Sequence, residues 1–221
     1  MTKLRIVMIV VLASLLGLAV LGGCRSAHTT SAILYIEQEQ YQKAIDVIDE
    51  GLQYNPDDPE GFYYQGEAYS RMAQQSIDEN DYPGAKLAFE NAYQKYTLSR
   101  DMDPEDMGDL VAEALEINYR NTLREGKAYW RDEQWEEAEG YFRLAYAALP
   151  DSLESIKNIA SMKIQQAEIS APDTASMLRN EALDLLDQVL ADNPDAYRLR
   201  SDKAYVLTQL DRTDEAQAIY D

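Results

Sequence analysis

One spacing recurs along most of this chain and restricts what it can fold into. A small residue is followed three positions later by an aromatic and six positions after that by a second aromatic. Ala, a bulky apolar residue, a small residue and Pro then follow at steps of three, four, three and five. Residues 119–152 carry it as Gly126, Tyr129, Trp135, Ala138, Phe142, Ala145 and Pro150. Residues 25–58 carry it as Ala32, Tyr35, Tyr41, Ala44, Ile48, Gly51 and Pro56. Steps of three and four keep side chains on one face of a helix. The small residues suit points where two helices cross closely, and the aromatics fill the space beside them. Pro then ends the second helix or opens the next.

The pattern resembles the tetratricopeptide repeat, a 34-residue helix–turn–helix unit. The resemblance implies an all-α solenoid of four to five helical hairpins in a right-handed superhelix, the first helix of each hairpin lining a concave groove. A second copy, residues 59–105, is stretched. Phe62, Gly66 and Tyr69 open it, Tyr82, Ala85, Phe89 and Ala92 continue it, and Pro104 closes it. The step from Tyr69 to Tyr82 is 13 where the regular copies have 6, and that from Ala92 to Pro104 is 12 where they have 5. Each insertion is seven residues, two helical turns, so the apolar stripe returns to nearly the same face. Asp103-Pro104-Glu105-Asp106 reads as a cap, a first-turn Pro and an acidic first turn. The first helix of the 119–152 copy is therefore expected to begin near residue 105 and run to Arg131.

A fourth copy, 153–195, is weaker: Ile156, Ile159 and Ala160, then Ala182, Leu186, Val189 and Pro194, with about ten extra residues around Ser170-Ala171-Pro172-Asp173 that signal a loop and a helix start. A fifth, 197–221, carries Tyr197, Ala204, Leu207, Ala216 and Tyr220, and stops inside its expected second helix, without the polar capping helix that usually ends a solenoid. A truncated chain or an end covered by a partner would account for that. No window reads as a strand or a tight hairpin.

The N-terminus has a different character. Lys3 and Arg5 precede an apolar run, Ile6 to Leu21, of signal-peptide length and short for a spanning helix. It ends in Leu21-Gly22-Gly23-Cys24, which resembles the lipobox of bacterial lipoproteins. That implies removal of residues 1–23 and a covalent lipid on Cys24, the chain's one Cys. The plain alternative is an N-terminal anchor with an incidental Cys. Residues 24–31 would be the lipidated N-terminus and a polar tether, with the repeat domain over 32–221. His28 falls in the tether. It and Ser31 replace the Trp and Leu usual in the family, so the first helix is expected to fray there. Arg25, where an Asp would favour inner-membrane retention, leans the expectation to the outer membrane facing the periplasm.

Charge bounds the chemistry. With 20 Lys+Arg against 40 Asp+Glu the chain carries −20, and cleavage would leave 18 cations against 40 acids, −22. A nucleic-acid partner needs the opposite field. One Cys and one His exclude a disulfide framework, a thiolate zinc site and a His-rich metal site. There is no calcium loop, no phosphate loop and no nucleophile–base set, so neither a cofactor beyond the lipid nor an enzyme is expected. Many acids stand at helix starts (Asp57, Asp58, Glu60, Asp81, Asp103, Asp151, Glu154, Asp173, Asp195), where they would cap N–H groups. The overall acidity fits either repulsion of non-partners or adaptation to high salt.

One stripe opposes that charge. Arg120, Arg124, Lys127 and Arg131 share a helix face. With Trp130 they would face the groove implied by the resemblance. Tyr63, Tyr64 and Glu67 would lie on one side, Lys157 and Asn158 on the other, then Tyr205. Cations beside aromatics suit an acidic peptide or a chain-terminal carboxylate. The competing view is that the stripe merely pairs with Glu116, Glu60 and Glu67. The function expected is a membrane-tethered scaffold for envelope proteins of a secretion, pilus or outer-membrane assembly. The alternative is a glycan- or nutrient-binding lipoprotein using the aromatics.

Overall fold

A computed structural model describes residues 25–220, so the expected signal segment and Cys24 lie outside the described residues. Among the described residues there are ten α-helices and no strand: α1 (Ala27–Glu37), α2 (Tyr41–Tyr54), α3 (Pro59–Asp78), α4 (Tyr82–Met102), α5 (Pro104–Arg131), α6 (Trp135–Ala148), α7 (Glu154–Glu168), α8 (Pro172–Asp192), α9 (Tyr197–Gln209) and α10 (Thr213–Tyr220). Consecutive helices pair as five hairpins, and each hairpin packs on the next. The first helices α1, α3 and α5 also contact one another in order, as do the second helices α4 and α6.

The expected lengths are found. The second helices of the two regular copies, α2 and α6, have 14 residues each, whereas α3 and α4 have 20 and 21. Helix α5 runs 28 residues from Pro104, with the Asp103 side chain accepting a hydrogen bond from the Asp106 N–H. In the fourth hairpin the extra residues lengthen α8 to 21 residues rather than the connecting turn, which is residues 169–171. All five turns within hairpins have three residues. In four, the middle residue is a non-glycine with left-handed backbone: Glu39, Asn80, Glu133 and Asp211, with φ of 58–61°. Each such turn returns two N–H groups to the end of the preceding helix, as Glu133 N–H to Trp130 O and Gln134 N–H to Tyr129 O. This closes the helix end as a glycine cap would.

The repeat spacing acts through close crossings. A Cβ added to Gly126 would lie 2.7 Å from Phe142 Cδ1, and one added to Gly66 would lie 2.8 Å from Tyr96 Cδ1. Both rings are buried. The third hairpin's core then continues through Ile156, Ile159, Leu186 and Leu207 into the last two hairpins.

Two expectations require correction. Residues 27–31 are not a tether but the first turn and more of α1, and α1 does not fray: Ser26 caps it by accepting from the Thr29 N–H at 3.0 Å. The domain thus begins before residue 32. Thr29 is 1% exposed and its hydroxyl donates to Asp58 Oδ2, while His28 stacks on Tyr54 and lies where a side chain on Gly51 would. Contacts with α2 and α3 supply what the local sequence lacks. Nor do all the acids at helix starts cap. Asp58, Asp81 and Asp103 do, but α7, α8 and α9 have no side-chain cap bond. Asp151 instead accepts from the Tyr93 hydroxyl at 3.0 Å.

Candidate functional site: the groove beside α5

Helix α5 is longer than its neighbours, and its exposed face divides in two. Its N-terminal half stands off from α3 and leaves an open cavity of about 400 Å³. Tyr63, Glu67, Ser70, Arg71 and Gln74 line it from α3, and Tyr96 closes it from α4. From α5 come Leu110, Glu113, Ala114, Ile117, Asn118 and Asn121, at the three- and four-residue steps of one helix face. Leu110 and Ile117 are about half exposed. Asn118 Nδ2 donates to Ser70 Oγ at 2.8 Å, and Ser70 sits beside the Tyr96 hydroxyl. Burial pushes the phenol of Tyr96 upward, and burial together with Glu67 does the same to Tyr63.

The C-terminal half of α5 carries the basic stripe. Arg120, Arg124, Lys127 and Arg131 surround a second, shallower recess with Leu123 and Ala128 at its floor. The side chains of Arg120, Arg124 and Arg131 are 69–76% exposed. Arg120 pairs with Glu116 as expected, at 3.0 Å. The other expected pairs do not form: Glu60 binds Arg25 and Glu67 binds Arg71. Among the described residues, Arg124 and Arg131 form ion pairs with their sequence neighbours Glu125 and Asp132, at 3.3 and 3.4 Å. Exposed pairs of that kind contribute little and exchange readily, so Arg120, Arg124 and Arg131 can trade their partners for another anion, whereas Lys127 is held by Glu154 at 2.7 Å.

The remaining site residues from the sequence are divided between open groove and inter-helix contacts. Tyr63 faces the cavity, whereas Tyr64 packs against Tyr63 edge-on and lies under the Arg25 guanidinium at 5.3 Å. Trp130 stands edge-on to Phe142 and donates from Nε1 to Gln165 Oε1 at 3.0 Å, which ties α5 to α7. Lys127 reaches Glu154 of α7 at 2.7 Å, and the Tyr119 hydroxyl donates to the same carboxylate. The hydrogen bond from Lys127 holds Glu154 below the usual carboxylate range against its partial burial. Lys157 is half-buried near Glu154. The Asn158 Nδ2 is buried without a hydrogen-bond partner. Tyr205 lies further along the array and donates to Glu168.

Sequence reasoning missed two features. Leu110, Ile117 and Asn118 escaped because residues 104–118 fall outside the 34-residue spacing, although their own helical periodicity was readable, and Asn121 escaped although it lies inside the 119–152 copy, because it is not one of the spaced positions. Lys163 escaped as one polar residue on a helix face. It is 6% exposed and bridges Glu139 of α6 at 2.8 Å and Glu181 of α8 at 2.6 Å. Burial would lower its pKa, but the two carboxylates outweigh that and raise it. Among the described residues no group of three His, Cys, Asp or Glu side chains is placed to hold a metal ion, and no helix is long and apolar enough to cross a membrane.

Comparison with known proteins finds likeness both in sequence and in structure. Residues 179–221 match the family model of the tetratricopeptide repeat. The chain is 34% identical over 95 residues to the TPR repeat-containing protein YpiA of Bacillus subtilis (strain 168), which is 43% of this chain and 21% of that protein. The match thus spans about a fifth of the relative's length. Among solved structures, MamA AMB-1 is similar with a TM-score of 0.37 and 13% identity, over 88% of this chain and 94% of that one. Yeast histone chaperone Hif1, described as a scaffold protein recruiting protein complexes to core histones, has a TM-score of 0.31 and 14% identity, over 86% and 93% of the two chains.

Proposed function

We propose that this protein is a non-enzymatic adaptor, held on a membrane by a lipid on Cys24, whose repeat groove gathers other envelope proteins into an assembly such as a secretion, pilus or outer-membrane machine. The supporting observation is the continuity of two unlike surfaces along α5. A cavity with apolar and amide walls at Leu110, Ile117, Asn118 and Asn121 leads to a cationic stripe at Arg120, Arg124, Lys127 and Arg131. An acidic peptide segment or a chain-terminal carboxylate with an apolar neighbour complements both halves. The whole chain's negative charge does not oppose this, because binding depends on the local field over the stripe. The glycan-binding alternative draws less support. Of Tyr63, Tyr64, Trp130 and Tyr205, which would stack on sugars, Tyr63 opens onto the cavity, while the other three are engaged with Arg25, Gln165 and Glu168.

Crosslinking and pulldown of the mature protein from its own envelope tests the proposal, beside an Arg124→Glu/Lys127→Glu variant. Recovery of a defined protein by the unaltered chain only is the expected result. A partner recovered equally by both would remove the basic groove from the proposal. Recovery of no protein, with tight oligosaccharide binding instead, would overturn the adaptor. Loss of palmitate labelling in a Cys24→Ser variant checks the anchor separately.

A further inference from the structure

We infer that the repeat domain is joined to its lipid without a tether, so that the end of the first hairpin bearing Arg25, His28 and Tyr54 rests on the leaflet in which the acyl chains are buried. This rests on the reading of Cys24 as acylated.

The chain meets the fold within its first described residues. The Arg25 guanidinium donates from Nε to Glu60 Oε1 at 2.5 Å and lies 5.3 Å from the centre of the Tyr64 ring, both on α3. Ser26 caps α1, and Thr29 is buried against Asp58. Consecutive Cα atoms are about 3.8 Å apart across a trans peptide, so two peptide units reach about 7.6 Å, and the lipid-bearing residue lies within that distance of Ser26, whose side chain caps α1. The acyl chains must lie in hydrocarbon, and the headgroup layer is only about 5–8 Å deep on each side. Arg25 and its neighbours therefore stand at headgroup level.

The surface presented there has the chemistry of that layer. Tyr54 ends α2, is 78% exposed and stacks on His28 with ring centroids 6.2 Å apart. An exposed phenol suits the boundary between water and acyl chains. Arg25, Glu60 and Asp58 are committed to one another's elements rather than to lipid phosphates. With a mature charge of −22 the domain is repelled by an anionic leaflet, so the contact is a local one made by the anchor and Tyr54. Tyr63, adjacent in sequence to Tyr64, opens onto the groove. A groove occupant is thus presented close to the leaflet and not at the end of a mobile arm.

The test uses the mature acylated full chain in phosphatidylcholine vesicles, with a nitroxide on Asn55→Cys or, as a distant control, on Gln209→Cys; both positions are exposed. Palmitate labelling of Cys24 is scored on the same preparations. The expected result is that the label at 55 favours oxygen over a water-soluble nickel complex and the label at 209 does not. A Gly-Ser linker of about ten residues after Cys24, which adds roughly 17 Å of reach, should shift the label at 55 to aqueous behaviour. A label at 55 that is aqueous without the linker, or unmoved by it, in palmitate-labelled protein would overturn the inference alone. Absence of palmitate from Cys24 would overturn the lipoprotein reading and the inference with it.

Discussion

The two sides of α5 solve the same packing problem differently. Toward α3, the helices leave a cavity in which Ser70 and Asn118 bond to each other and the apolar Leu110 and Ile117 stay about half exposed. Toward α7, the gap is bridged by side chains: Tyr119 and Lys127 both reach Glu154, and Trp130 reaches Gln165. The same helix thus presents an open, adaptable surface on one side and a closed, ion-paired seam on the other. The difference follows from length. The seven-residue insertions carry α3 and α4 beyond the regular repeat, and α5 extends with them, so residues 110–121 of α5 face residues 63–74 of α3 across the cavity. The open cavity of this array lies where the helices exceed the regular repeat length.

The largest effect is expected where both sides depend on one crossing. Gly126→Leu would drive a side chain into Phe142, 2.7 Å from the new Cβ, and overpacking of this kind costs about 1–3 kcal/mol. Urea denaturation should show the loss, and an unchanged midpoint would mean that α5 and α6 are not in close register. Acid should then separate the halves. Burial alone would raise the Glu139 carboxyl, but hydrogen bonds from Lys163 and Arg143 hold it below its ordinary value of 4.5. Its stabilising contribution is complete above that value and is lost as pH falls through the depressed folded value. The raised Lys163 contributes below 10.5 and loses its effect only as pH rises through its folded value. Protection from amide exchange, relative to the intrinsic rate at each pH, should therefore fall in α7 and α8 before it falls in α3 and α4 as pH drops below about 4.5. Uniform loosening along the chain would count against the distinction.

Smaller changes sharpen the comparison. Glu154→Ala removes the acceptor of two hydrogen bonds across the closed seam and should cost about 1 kcal/mol. Asn118→Ala on the open side should cost less, because water entering the cavity can replace the lost bond to Ser70. Thermal denaturation of both variants gives the order, and a larger loss at Asn118 would reverse it. Gly140 contrasts with Gly126 in the same hairpin, since nothing lies within 4 Å of an added Cβ. Gly140→Ala should stabilise α6 by about 0.5–1 kcal/mol through lower chain entropy, measurable as a raised denaturation midpoint.

Much of this was legible without coordinates. The steps of three and four gave the helices, the seven-residue insertions gave the long α3 and α4, and the Asp103-Pro104 pair placed the start of α5. The most regular spacing, at 119–152, and the segment matching the family model, 179–221, are different parts of the array, so each supports the repeat reading independently. The groove was half legible. The basic stripe was found because it shares one helix face, whereas the cavity's apolar wall lay outside the repeat template.

What the sequence determined is therefore local: helix ends, helix lengths, and which residues of one helix share a face. These depend on groups within about four residues of each other. The tertiary structure decided what depends on residues far apart in the chain. Residues 25–31 look like a polar linker, yet they fold because Glu60, Tyr64, Asp58 and Tyr54 lie beside them. Lys163 looks like one more surface charge, yet it is buried because α6 and α8 each bring a carboxylate to it. Trp130 looks like a free aromatic, yet Gln165 of another helix engages it. A side chain's helix is set by its neighbours in sequence, but its burial and its partners are set by which helix face packs opposite, and only the folded array fixes that.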